Sequence, residues 1–391
     1  MRAGMILEAL ATDHPVHLLV LPVVAGAAGA TPPAVRDWCQ SVTVHAVTDR
    51  VDTLFSLIAR VQDPGERFEA ILRYPKPLLT RFATAPAIAQ LAEAFPPASV
   101  GAVHVFRLYL APFAEPWLAA GVPCRLDLDD HESRTRQRIA DLHAAAGEAD
   151  AAMLERVEGE KYLAMETQYL RRFERVYVCS AVDREEVARA HGLTNVAVIP
   201  NGVRPPRIAV PLPPDPFTFV FVGSLGYYPN DEAAVFFCSD VLPKLRARSN
   251  RAFRVLFVGS NPSARLRALA AAQPDVRLAG MVPDIVSAYT DAHAVIIPLR
   301  AGGGTRIKML EAFEYRRPVV STSLGAEGLE VEHGEHALLA DTPDAFAAQC
   351  ARLMEDAPLR DALATHALEL VRREHTPEAV LAAIRRVHAT S

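Results

Sequence analysis

Ala301-Gly302-Gly303-Gly304-Thr305-Arg306-Ile307-Lys308-Met309-Leu310-Glu311-Ala312 is the stretch that decides the fold. It follows an apolar run, Ala294-Val295-Ile296-Ile297-Pro298-Leu299, and precedes another, Pro318-Val319-Val320-Ser321. Strand, glycine loop, helix and strand is the sequence that turns free backbone N–H groups and a positive helix end toward an anion. The ligand expected here is therefore phosphorylated. Lys308 stands out because the chain has only three other lysines, Lys76, Lys161 and Lys244.

Working outward, the same alternation fills the chain. Strands are predicted at Val16–Val20, Ser41–Ala46, Val100–Phe106, Arg125–Leu128, Arg175–Cys179 and Ala197–Ile199. Helical patterns lie between them, including Asp52–Arg60, Ala85–Ala94 and a long charged helix from near Asp150 to Arg172. That helix is expected to turn Met153, Val157, Tyr162, Met165 and Tyr169 inward. Arg204 to Arg207 and Pro211 to Pro216 are too rich in proline for helix or central strand and read as a linker.

A second series follows. Thr218–Val222 ends in Gly223-Ser224-Leu225-Gly226, and Pro229-Asn230-Asp231-Glu232 opens a helix with Asn230 as the expected N-cap. Strands Arg254–Val258 and Val276–Ala279 lead to the 294–321 unit, and helices fill the chain from Asp344. Alternation of this kind means α/β domains with mostly parallel sheets. The start, Met1 to Leu10, reads as a helix where a doubly wound domain would open on a strand and glycine turn. A misplaced start and a shortened domain both remain open as explanations.

Composition narrows the function classes. The chain has 391 residues, half of them hydrophobic and 22% charged, which fits two soluble globular domains. A net charge of −5 disfavours a nucleic-acid partner, which needs a basic surface. Cys39, Cys124, Cys179, Cys238 and Cys350 have neither zinc nor disulfide spacing and read as reduced thiols of a cytoplasmic protein. No signal peptide is evident; Val16–Ala30 is too short for a membrane span and is broken by Pro22, Gly26 and Gly29. There is no G-x-G-x-x-G, no Walker-type phosphate loop and no simple hydrolase motif.

Each candidate site competes with a plainer reading. Gly302–Glu311 is either a phosphate cradle, with Lys308 and Glu311 neighbours on one helix face, or a capped glycine turn with a solvated ion pair. Gly223 and Ser224 either offer backbone N–H groups to a phosphate or form an ordinary strand-to-helix turn. Glu327, in Ser323-Leu324-Gly325-Ala326-Glu327-Gly328-Leu329, either accepts ligand hydroxyls or lies in a surface loop. Asp127-Leu128-Asp129-Asp130-His131-Glu132 is weakest as a metal site and better as a polar strand end. His333 and His336 are split by Gly334, which favours a polar turn over metal binding.

Taken together these stretches resemble the retaining glycosyltransferases of family 4, within the GT-B architecture. The resemblance runs from Val198-Ile199-Pro200-Asn201-Gly202-Val203 through Phe221–Leu225 with Pro229-Asn230, and Gly280-Met281-Val282-Pro283-Asp284-Ile285, to Pro298–Glu311. Pro318–Thr322 and Gly325–Leu329 resemble a subgroup associated with exopolysaccharide sugar transfer. It implies two Rossmann-like doubly wound domains: residues 1–204 on the acceptor side, a linker at 205–216, a donor domain at 217–375 and a terminal helix at 376–391 packing back on the first domain.

By the resemblance, Gly223, Ser224, Val282, Gly302, Gly303, Gly304, Thr305, Arg306, Lys308, Glu311 and Glu327 contact a nucleotide-sugar donor. Glu311 falls where the family holds the donor ribose. Gly303 stands where many members carry another glutamate, eight positions earlier. The arginine and lysine that members often place after the Gly223 loop are replaced by Leu225, Tyr227 and Tyr228, which leaves Arg306 and Lys308 to hold the diphosphate. His131 is the candidate for the histidine near the reacting sugar. The resemblance implies no cofactor and no metal, a glycan or lipid-linked acceptor, peripheral inner-membrane contact if that acceptor is lipid-linked, and leaves the oligomeric state open. A nucleotide-sugar epimerase and a non-catalytic sugar-nucleotide binder are the competing readings.

Overall fold

The computed structural model describes residues 2–23, 32–46, 51–206, 213–282, 284–304 and 306–389. Thr305 and residues 207–212 of the proline-rich segment thus lie outside the described residues. The chain divides into two compact units, residues 1–199 with 381–391 and residues 200–380.

The first unit opens on helix α1 (Arg2–Asp13). Strands β1 (His17–Val20) and β2 (Ser41–Val44) pair in parallel with each other. β3 (Val103–Phe106), β4 (Cys124–Asp127), β5 (Arg175–Val178) and β6 (Val196–Val198) form a separate parallel sheet in that order. Helices α2 (Glu132–Ala145), α3 (Ala149–Tyr169) and α4 (Ala181–His191) follow β4 and β5. The core gathers Leu126, Leu128, Val176 and Val178 of the sheet with Tyr162, Met165 and Tyr169 of α3.

One expectation for α3 fails. Met153 is exposed and Val157 only half-buried, whereas Glu158 and Glu166 are buried. Two carboxylates occupy the inward face because the fold gives them partners. Glu158 accepts a bond from the Leu78 N–H at 2.8 Å and pairs with Lys161 at 2.8 Å. A charge satisfied this way is tolerated at a position that periodicity assigns to an apolar residue.

The second unit is a six-stranded parallel sheet. Its strands are β7 (Phe217–Val222), β8 (Phe253–Val258), β9 (Val276–Gly280), β10 (Ala294–Ile297), β11 (Val319–Ser321) and β12 (Leu338–Leu339). Their spatial order is β12-β11-β10-β7-β8-β9. The chain therefore winds outward from β7 in one direction and from β10 in the other, the doubly wound arrangement of dinucleotide-binding domains. Every residue of β7 and β10 is buried, which explains runs apolar on both faces rather than alternating. β12 is only two residues long and carried no pattern in the sequence.

Helices α5 (Tyr228–Phe236), α6 (Ile285–Thr290), α7 (Ile307–Glu314), α8 (Pro343–Glu355) and α9 (Ala357–Glu374) flank this sheet, and α10 (Pro377–Ala389) ends in the first unit's stretch. Asn230 is not the N-cap of α5. Tyr227 occupies the cap, Pro229 lies in the first turn, and Asn230 is inside the helix. Its side chain is engaged elsewhere, as described next. No helix of the described residues is long and apolar enough to cross a membrane.

Candidate functional site

Ligands of a doubly wound sheet bind outside the carboxyl ends of its strands, where the winding reverses. Here that point lies between β7 and β10, so the loops at Gly223 and at Gly302–Arg306 flank it. Both loops were singled out in the sequence, and the topology places them at neighbouring strand ends.

The two loops are joined by side chains. The Lys308 ammonium donates to Asn230 Oδ1 at 2.7 Å, and Asn230 Nδ2 donates to the Ser224 carbonyl at 2.9 Å. The same ammonium lies 4.3 Å from the centroid of the Phe221 ring, a favourable cation–π distance. Gly223 leaves room for this closeness. A β-carbon there would meet Asn230 Nδ2 at 2.9 Å and Lys308 Nζ at 3.1 Å. Burial, reinforced by the Arg306 charge and opposed by Glu311, pushes the Lys308 ammonium down to about 7.

Glu311, one turn along α7, faces a different partner. Tyr289 Oη donates to Glu311 Oε2 at 2.8 Å, and the Tyr289 ring stacks on Tyr315 at 4.7 Å between centroids. Burial raises the Glu311 carboxyl above the ordinary value, although the Tyr289 hydroxyl and Lys308 pull the other way. No ion pair joins Lys308 and Glu311, so the plainer reading of a solvated helix pair does not describe them.

The glycine loop itself is built around Arg306. Arg306 is 8% exposed, and its guanidinium turns back to donate to the Gly303 carbonyl and, at 3.4 Å, to that of Leu324. Gly302 adopts φ 112° and Gly304 φ 66°, conformations that favour glycine. Arg306, expected from the sequence to hold the diphosphate, thus spends its guanidinium on the backbone of its own loop and the next. Arg306 stands at the N-cap of α7 and makes no side-chain cap bond there.

The remaining sequence candidates sit around this core. Gly325 packs so tightly that a β-carbon would lie 2.3 Å from Ser321 Oγ and 2.8 Å from the Ile297 carbonyl, which fixes the loop after β11 against β10. Glu327 is half-buried just beyond it. Val282 packs against the core after β9, beside an exposed Met281. His333 Nδ1 accepts from the Leu339 N–H at 2.9 Å and His336 Nδ1 from the Glu332 N–H at 3.2 Å, the polar turn expected of them.

In the first unit His131 belongs to a buried cluster. Its Nε2 lies 3.4 Å from Glu166 Oε2, and His191 Nε2 lies 3.2 Å from the same oxygen. The Ser133 N–H and hydroxyl also reach Glu166, at 3.2 and 2.7 Å, so α3 supplies the carboxylate that caps α2. Burial alone would raise Glu166, but bonds from both imidazoles and Ser133 hold it down to about 2. His131, Glu166 and His191 have metal-ligating atoms within 4.8 Å of one another, although Glu166 is already satisfied by four protein donors. The acidic strand end is equally spent: Asp127 pairs with Arg2 at 3.0 Å and Asp129 with Arg107 at 2.5 Å.

Sequence reasoning missed Asn230 as a contact, Tyr289, Glu166 and His191. Only Asn230 carried a local signal, and that signal pointed to a cap.

Residues 216–356 match the family model described as "Glycosyl transferases group 1". No curated protein matches the sequence. Among solved structures, sucrose-phosphate synthase from Thermosynechococcus elongatus superposes with a TM-score of 0.69 at 17% identity, over 100% of this chain and 93% of that one. Anabaena HepE, solved with UDP and glucose, gives 0.68 at 14% identity over 99% and 95%. S. aureus TarM, solved with fondaparinux, α-GlcNAc-glycerol and UDP, gives 0.59 at 12% identity over 79% and 58%. The fold is GT-B, with parallel α/β units of the Rossmann kind. The matched segment carries the Gly223 and Gly302 loops, α7 and the loop after β11, and marks the chain as a glycosyltransferase-type transferase.

Proposed function

We propose that the chain moves a sugar from a nucleoside-diphosphate sugar to a glycan or lipid-linked acceptor, with retention at the anomeric carbon, in envelope or exopolysaccharide synthesis. One observation carries this reading: Lys308, Glu311 and the Gly223 loop converge at the winding reversal of the second unit. A lysine beside a tight glycine backbone suits a diphosphate, and a carboxylate one turn along suits the ribose hydroxyls. HepE, which shares the fold, has also been solved with UDP-glucose.

In this mechanism negative charge grows on the β-phosphate oxygens as the sugar departs. Lys308, the amino end of α7 and the backbone near Gly223 stabilise that charge, while Arg306 holds the glycine loop in shape. Val282 sits beside the base and Glu327 beside the sugar. No metal is needed, since the positive charge is supplied by the protein; chelation by EDTA is expected to leave turnover unchanged.

The test has two stages. Thermal shift against UDP, GDP and ADP is expected to show stabilisation by at least one, because a ligand that binds only the folded state stabilises it. Release of that diphosphate from its sugar conjugate is then followed with lipid-linked and glycan acceptors. Absence of binding by all three nucleotides overturns the reading, and donor turnover without acceptor redirects it to epimerisation or hydrolysis.

A further inference from the structure

We infer that Asn230 and Tyr289 are positioning residues that hold Lys308 and Glu311 as two separate, uncancelled ligand contacts. The inference rests on the proposed function and extends it to residues that no motif assigns.

Lys308 and Glu311 are three residues apart on α7, the spacing at which opposite charges normally pair. A pair of that kind would blunt both groups toward a ligand. The structure instead gives each a neutral partner from another element. Asn230 on α5 accepts from the ammonium at 2.7 Å and is itself fixed by its 2.9 Å bond to the Ser224 carbonyl. The ammonium is thereby aimed at the space beside Gly223, with Phe221 beneath it. Tyr289 on α6 donates at 2.8 Å to one oxygen of Glu311, and its ring is locked by stacking on Tyr315. The other Glu311 oxygen is then oriented to accept from a hydroxyl.

Neutral partners matter here. An aspartate at position 230 would neutralise the ammonium and repel a diphosphate, whereas an amide orients it and leaves its charge for the ligand. A phenylalanine at position 289 keeps the stacking and the volume but releases the carboxylate. Each contact therefore has a variant that changes polarity with little change in shape.

The experiment measures affinities by calorimetry for UDP, uridine and 2′,3′-dideoxy-UDP, with the GDP and ADP series as parallel arms. Asn230→Ala and Asn230→Asp are expected to weaken diphosphate binding about tenfold, the aspartate more, with nucleoside binding unchanged. Tyr289→Phe is expected to lower the preference for the ribose over the dideoxyribose nucleotide about fivefold, leaving the diphosphate-over-nucleoside preference as in the wild type.

A merely structural role predicts a different result, equal weakening toward every ligand, and that outcome overturns the inference. Wild-type diphosphate affinity in Asn230→Asp overturns the Lys308 half, and an unaltered sugar preference in Tyr289→Phe overturns the Glu311 half. A wild-type protein that binds none of the three nucleotide series overturns the proposed function itself, so the two failures are distinguishable.

Discussion

The candidate charges of the two units are handled differently, although elsewhere the second unit also pairs its charges, as in Arg246 with Asp275 and Lys244 with Asp344. In the first, charges close on one another: Arg2 on Asp127, Arg107 on Asp129, and Glu166 on two histidines and a serine. In the second, Lys308 and Glu311 are tied to an amide and a phenol, and no ion pair joins them. A buried charge whose partner is an opposite charge is finished as an interaction. One oriented by a neutral dipole is stable enough to fold and still has most of its field left for a ligand. The difference separates charge that holds structure from charge that awaits an anion and a hydroxyl.

Glu166→Ala breaks the structural side of this comparison and has the largest expected effect. It leaves two imidazoles and the amino end of α2 without their carboxylate, and folding stability is expected to fall by about 3–5 kcal/mol in urea titration, with nucleotide affinity unchanged. The pH dependence has a definite sign. The folded carboxyl is held at about 2, below its unfolded value, so its contribution is present above the unfolded pKa and is lost as pH falls toward about 2. A variant as stable as the wild type, or one that loses nucleotide binding selectively, would erase the distinction between the units.

Lys308→Ala addresses the other side. Removing a charge that contacts the bound diphosphate, and does so more strongly as the leaving group departs, is expected to weaken diphosphate binding and to lower kcat by about 100-fold, with little change in thermal stability. A variant that unfolds instead would move Lys308 into the structural class. Glu311→Gln is expected to raise the donor KM by about tenfold, since an amide accepts a ribose hydroxyl less strongly than a carboxylate does. An unchanged KM would remove Glu311 from the site.

The fold was legible in the sequence because its signals are local. Apolar runs buried on both faces, followed by glycine and then a helical period, gave β7, β10, α7 and β11 with ends shifted by one or two residues. The candidate loops were legible for the same reason. Their partners were not. Asn230 meets Lys308 across 78 positions and Tyr289 meets Glu311 across 22, and only the closing of the sheet brings them together. Asn230 misled as well, because asparagine near a helix start has a common local use as a cap and the competing use is remote. Glu158 and Glu166 were hidden because an inward carboxylate violates the apolar period of α3, and only its distant donors explain it.

The smallest expected effect is also the most diagnostic. Lys308 lies at about 7 because burial removes its solvation and Arg306 adds a second positive charge, while Asn230 and Phe221 favour the ammonium without bringing a negative charge. Glu311 opposes this from one turn away without pairing. A bound diphosphate favours the ammonium and raises its pKa, so affinity is greatest below about 7 and declines above it. The ligand's terminal phosphate is already ionised there, and the decline between pH 7 and pH 8 is expected to be about fivefold for a single group. In Asn230→Asp a carboxylate beside the ammonium raises its pKa in the free protein, so the decline moves to higher pH even though overall affinity is lower. A flat profile in the wild type would mean that Lys308 keeps its charge by pairing as the first unit's cations do, and the contrast between the two units would not extend to the ligand.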